Sequence, residues 1–221
     1  MDPVPGVFEG GANVVAVLVL LAEFAMLRAQ LLRTQVRLYA WQSLFVALLA
    51  VLVAADQGIP ELYVLAALSV ALKVVIVPLV VLRLLPDADT DIAGSGRFGV
   101  ASAVLLAIGV AAFGLFVINS LHFAKSSLPT TALALAGAVV LVAFVLMIVR
   151  SDVVSQAIGF YSLENGVSLA GLVVAARLPL IVEVAFLFDL LVAVVVFGVL
   201  MKIHHSRTAS LSTATLTRLR G

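Results

Sequence analysis

Cysteine is absent from the chain, which excludes disulfides and thiolate-held iron–sulfur clusters from it. Charge is scarce: 11% of the residues are charged, against about 25% in soluble domains. The three histidines, His122, His204 and His205, lack the spacing of a zinc site. Neither a glycine-rich phosphate loop nor a serine–histidine–acid arrangement occurs. No basic patch with interleaved aromatics suggests nucleic acid, and a net charge of +1 implies no strongly charged partner. The opening residues carry Asp2 and Glu9 but no Lys or Arg, unlike a secretory signal, so the first apolar stretch is expected to be retained as a helix. If electrons move in this system, they are expected to move in another subunit.

What the chain has in excess is apolar residues, 64% of the total. In water such a chain would expose large greasy patches and aggregate; a lipid solvent removes the conflict. A hydrocarbon core of about 30 Å takes about 20 apolar residues of helix. Seven stretches approach that length: 12–32, 38–55, 62–82, 98–118, 131–149, 153–175 and 180–201. Backbone groups in lipid must bond within their own segment, and the period-two alternation of a barrel is missing, so these stretches read as helices. The expected fold is all-α, a single polytopic membrane domain over residues 1–221 with about seven transmembrane helices. Residues 202–221 form a cytoplasmic tail, disordered or docked on a partner.

Lys and Arg set the orientation. With the N-terminus outside, the cytoplasmic loops, helix ends and tail hold Arg28, Arg33, Arg37, Arg83, Arg97, Arg150, Lys202, Arg207, Arg218 and Arg220, whereas the outside holds Lys125 and Arg177. That bias favours an odd number of helices. The acids Asp87, Asp89 and Asp91 read as a solvated loop, and His204 and His205 as a solvated or headgroup-facing pair.

Four ionisable residues fall close to the middle of a span: Glu23, Lys73, Glu164 and Asp189. A charge at that depth costs about 2.5–3.5 kcal/mol on insertion scales, so these side chains are expected to face helix interfaces and form one polar layer. Three acids and one lysine cannot all pair within the chain. Partner subunits then supply cations, or an acid is protonated, as a proton-carrying site requires. Pro78, five residues after Lys73, withholds an amide hydrogen and predicts a loosened helix beside the lysine. Tyr161 and Ser168 share a face with Glu164 and extend its polar path. Glu183 lies six residues before Asp189, nearer the outer surface, where Arg177 is an available partner. Each of these residues also fits a structural reading, as an interhelical pair or as packing.

The runs Tyr39-Ala40-Trp41-Gln42-Ser43-Leu44, Ala71-Leu72-Lys73-Val74-Val75-Ile76-Val77-Pro78-Leu79 and Ile158-Gly159-Phe160-Tyr161-Ser162-Leu163-Glu164-Asn165-Gly166 resemble the hydrogenase-4 component E family. Glu183 and Asp189 also fall where that family has acids. Residues 131–201 are similar to the small three-helix membrane subunit of respiratory complex I, through Arg150-Ser151-Asp152 to Asn165 and through Asp189; the glutamate of that subunit aligns nearer Tyr161, one turn before Glu164. The resemblance implies a membrane subunit of a group 4 nickel–iron hydrogenase or formate hydrogenlyase-like complex in a bacterial or archaeal plasma membrane. On that reading the chain is a non-catalytic part of an oxidoreductase. Its partners are the other membrane and peripheral subunits of a hydrogenase or complex I-like assembly. Those partners carry the nickel–iron and iron–sulfur centres, and Lys73, Glu164, Asp189, Glu183, Glu23 and Tyr161 are the proton-path candidates. The alternatives are a structural membrane anchor for such a complex and a stand-alone ion transporter.

Overall fold

The computed structural model describes residues 7–85, 99–120 and 130–174, together with Val195 and Gly198. Among these, every regular element is helical: α1 (Val7–Arg28), α2 (Leu32–Gln57), α3 (Glu61–Ser69), a π-helical segment (Val70–Ile76), α4 (Val77–Leu84), α5 (Val100–Ser120), α6 (Thr130–Val149) and α7 (Val153–Val174). The segment from α3 to α4 is one continuous span, Glu61–Leu84. With it, six described helices are long and apolar enough to cross a membrane. The expected seventh span, 180–201, apart from Val195 and Gly198, the loop acids Asp87, Asp89 and Asp91, and the tail with His204 and His205 lie outside the described residues.

The centre is a four-helix arrangement in which α1 packs on α2 and α6, α7 packs on α6 and α2, and polar side chains fill the middle. The helix α5 lies against α6 and α1, and the α3–π–α4 span lies against α2. The polarity is inverted relative to a soluble protein. Phe116 and Ile148 are 72% and 73% exposed, whereas Glu23, Gln35, Gln42, Ser155, Ser162 and Asn165 are fully buried. Only a lipid surround makes both placements favourable, so the chain is a multi-pass membrane protein.

Small residues set the closest approach. A Cβ on Gly166 would stand 2.8 Å from Val140 Cγ2 and 3.1 Å from the Val140 nitrogen; one on Gly159 would stand 2.6 Å from Met147 Cγ. These two glycines, seven residues apart on α7, let its backbone settle onto α6. The α2 helix closes at Gly58, whose left-handed φ of 64° returns its amide to Ala54 O.

The first connection is shorter than the sequence suggests. Residues 33–37, expected in a loop, open α2, and only Ala29–Leu31 separate α1 from α2. Arg33, Gln35 and Arg37 are good helix formers, and long basic side chains reach the headgroups from a helix end.

Candidate functional site

The site begins with the register of two helices. Ser155 Oγ donates to Gln35 Oε1 at 2.7 Å, and Ser162 Oγ donates to Gln42 Oε1 at 2.8 Å. Both pairs span the same sequence separation, 120 residues, so α2 and α7 run parallel. Seven residues along each helix, about 10.5 Å, separate these rungs. Tyr39 and Tyr161 pack near them with ring centroids 5.8 Å apart.

The upper rung anchors a polar cluster across four elements. On α1, Glu23 Oε2 accepts from Gln42 Nε2 at 2.8 Å and stands in short contact with the Ser162 hydroxyl. Gln42 Nε2 also donates to Val19 O at 3.3 Å. Asn165, one turn along α7 from Ser162, donates through Nδ2 to Gln42 Oε1 at 3.1 Å and to Ser43 Oγ at 2.8 Å. Asn165 Oδ1 then accepts from Lys73 Nζ at 3.3 Å. The ammonium forms an ion pair with Glu164 Oε1 at 3.0 Å and reaches Ser168 Oγ at 3.5 Å. One connected set of side chains thus runs from Glu23 to Glu164 inside the apolar bundle.

Lys73 stands in the π-helical segment, where the Val77 amide bonds Leu72 O, five residues back. In that register the donor withheld by Pro78 is the one facing the Lys73 carbonyl. In an α-helix, with its offset of four, the carbonyl left without a donor would instead be that of Val74. The loosened helix expected at Pro78 is therefore a wide π turn, a form found mostly as short insertions in helices.

A second polar group closes one end of the bundle. Arg150 Nη2 donates to Leu27 O and Ala29 O, both at 2.7 Å, so its cation satisfies carbonyls left over at the C-terminus of α1. Gln35 Nε2 donates to Ala29 O at 3.1 Å. Asp152 Oδ1 accepts the Ser155 amide at 2.6 Å, capping α7. Burial pushes the Arg150 guanidinium below its ordinary value, and Asp152 opposes that shift.

Of the residues singled out in the sequence, Glu23, Lys73 and Glu164 share one network, with Ser168 at its edge. Tyr161 is buried beside it, against Tyr39 and Phe160. Asp189 and Glu183 lie outside the described residues. Sequence reasoning did not single out Gln42, Ser43, Ser162 or Asn165 for function. The available signal was the clustering of amides and hydroxyls at one depth, in runs already quoted for other reasons.

Comparison with known proteins gives four significant relatives. An uncharacterized protein of Mycobacterium tuberculosis, Rv0085, is 31% identical over 170 residues, 76% of this chain and 77% of its own length. The hydrogenase-4 component E of Escherichia coli K12 is 27% identical over 213 residues, 95% of this chain and 97% of its own length. The component E of Shigella flexneri matches to the same extent. No family model and no solved structure matches the chain.

Proposed function

The chain belongs to the hydrogenase-4 component E family, and from that premise we propose that it is a membrane-arm subunit of a proton-translocating hydrogenase or formate hydrogenlyase-like complex. Its part is to provide intramembrane groups along a proton path. Lys73 and Glu164 form the ion pair at the centre of that path, Glu23 is a second carboxyl, and Tyr161 lies beside them. Asp189 and Glu183, outside the described residues, are the further candidates that the family resemblance supplies. Electron transfer belongs to partner subunits that hold the nickel–iron and iron–sulfur centres, and the assembly sits in a bacterial or archaeal plasma membrane.

The observation that carries this reading is the Lys73–Glu164 pair, 3.0 Å apart and almost wholly buried. An ion pair of this kind adds little to stability compared with well-packed apolar residues of the same volume. Ionisable side chains within membrane spans mark ion or proton pathways by default. The amides and hydroxyls around the pair lower the cost of moving a charge through the bundle, because donors and acceptors are already in place.

The first experiment is purification of the tagged chain in mild detergent with mass spectrometry of what accompanies it. Hydrogenase-like subunits are expected to co-purify; a chain recovered alone in several detergents would overturn the assembly. In vesicles holding the intact complex, Glu164→Gln is expected to uncouple electron transfer from proton movement while assembly persists. Full coupling in that variant would remove Glu164 from the path.

A further inference from the structure

The hydrogen bonds between Lys73 and Glu23 all point the same way. Lys73 Nζ donates to Asn165 Oδ1 at 3.3 Å, Asn165 Nδ2 donates to Gln42 Oε1 at 3.1 Å, and Gln42 Nε2 donates to Glu23 Oε2 at 2.8 Å. The amide orientations are fixed by their surroundings. A turned Asn165 would set its NH2 group against the ammonium, and a turned Gln42 would set its oxygen against both Val19 O and Glu23. Two aligned amide dipoles therefore lead from the cation to the Glu23 carboxyl. Amides do not hand protons on readily, because each transfer passes through an imidic acid. They do transmit polarity in a medium of low dielectric.

We propose that Glu23 and Glu164 are two carboxyls that compete for the single Lys73 ammonium, Glu164 by direct contact and Glu23 through the oriented amides of Asn165 and Gln42. This inference rests on the proton-path reading and assigns separate tasks within it. In one state Glu164 is ionised against Lys73 and Glu23 carries a proton. In the other, Glu164 has taken a proton from water, the ammonium's field falls on Glu23 through the amides, and Glu23 has released its proton to water. Each state contains one ammonium, one carboxylate and one carboxylic acid, so the cluster charge is unchanged and one proton enters as one leaves.

Ser162 fits both states. Its hydroxyl stands within hydrogen-bond reach of both Glu23 Oε2 and Gln42 Oε1 and has one hydrogen to give. With Glu23 ionised it donates to Oε2. With Glu23 protonated it accepts from the carboxyl and donates to Gln42. The other titratable groups on the helices that meet Glu23 here are Tyr39 on α2 and Tyr161 on α7; α5 and α6, which also pack on α1, contribute none.

The test is infrared difference spectroscopy on the full chain with its accompanying subunits in lipid bilayers, stepped in pH. The protonated Glu23 carboxyl is identified as the C=O band missing in Glu23→Gln. Glu164→Gln is expected to move the loss of that band to lower pH by about one unit or more, and Lys73→Gln to move it to higher pH. Asn165→Leu, added to Glu164→Gln, is expected to cancel most of the shift, whereas Ser43→Ala is expected to leave it. An unchanged midpoint in both Glu164→Gln and Lys73→Gln, or a full shift that survives Asn165→Leu, overturns the proposal. The spectra report carboxyl coupling whether or not the complex moves protons, so this failure is distinct from failure of the proton-path reading.

Discussion

Lys73 Nζ lies 3.0 Å from Glu164 Oε1 in the middle of the bundle, and each charge makes the other tolerable. Removing one partner leaves an uncompensated buried charge, which costs about 3–5 kcal/mol. Lys73→Met and Glu164→Leu are each expected to lower the thermal midpoint strongly, and the double variant to recover most of the loss. A double-mutant cycle on the complex in lipid, followed by thermal unfolding, measures the coupling. Additive losses would mean that the two charges do not stabilise each other.

How much of this was legible in the sequence follows from cost. Glu23, Lys73 and Glu164 stood out because an ionisable group inside an apolar span is expensive and rare. Gln42, Ser162 and Asn165 did not, because a neutral amide or hydroxyl is cheap enough to occur as interhelical packing. Their importance comes from which helix faces which, and the equal Gln35–Ser155 and Gln42–Ser162 offsets appear only once α2 and α7 are seen to run parallel. The helices themselves were plain from length and hydropathy. The start of α2 was not, since Arg33 and Arg37 look like loop charges in a linear reading and are in fact the first turns of a helix. Pro78 announced a disturbed helix but not its register.

Arg150 ties the α6–α7 connection to the end of α1 through Leu27 O and Ala29 O. Hydrogen bonds to a charged donor contribute about 1.5–3 kcal/mol. Arg150→Gln is expected to destabilise the bundle by that order. Hydrogen exchange is expected to rise at the amides around Ala29–Leu31 and at the first turn of α7, and the Lys73 region is expected to stay protected. Uniform loss of protection would show that the clamp holds the whole fold rather than one end.

The α6–α7 contact discriminates between glycines. At Gly166 an added methyl meets β-branched Val140 and, at 3.1 Å, its backbone nitrogen; at Gly159 it meets the Cγ of unbranched Met147, with the nearest backbone atoms farther off at 3.3 Å; at Gly171 it meets nothing within 4 Å. Overpacking costs about 1–3 kcal/mol, and an unobstructed Gly-to-Ala change in a helix gains about 0.5–1 kcal/mol. The expected order of thermal stability is therefore Gly171→Ala above the parent, then Gly159→Ala, then Gly166→Ala lowest. Unfolding of the three single variants in one detergent decides the order, and a Gly166→Ala protein as stable as the parent would show that the helices do not meet this closely.

Pro78 and Lys73 are linked through the π-helical segment, because the proline's missing amide would otherwise bond the Lys73 carbonyl. Pro78→Ala restores that donor and lets the span close into a continuous α-helix. The backbone gains a hydrogen bond of about 0.5–1.5 kcal/mol net, which is less than the about 3–5 kcal/mol lost when a buried ion pair is broken, so a variant whose turn closes is expected to be less stable than the parent. Closing the wide turn also rotates Lys73 relative to α4 by about one residue's azimuth, roughly 100°, and that turns the ammonium away from Glu164 and Asn165. Stability and coupling are thus expected to fall together: a lowered thermal midpoint, with proton movement per electron transferred falling several-fold in vesicles of the assembled complex. A variant that is stabilised and still fully coupled would show that Lys73 reaches its partners from either helical form and that the π segment is a packing feature alone.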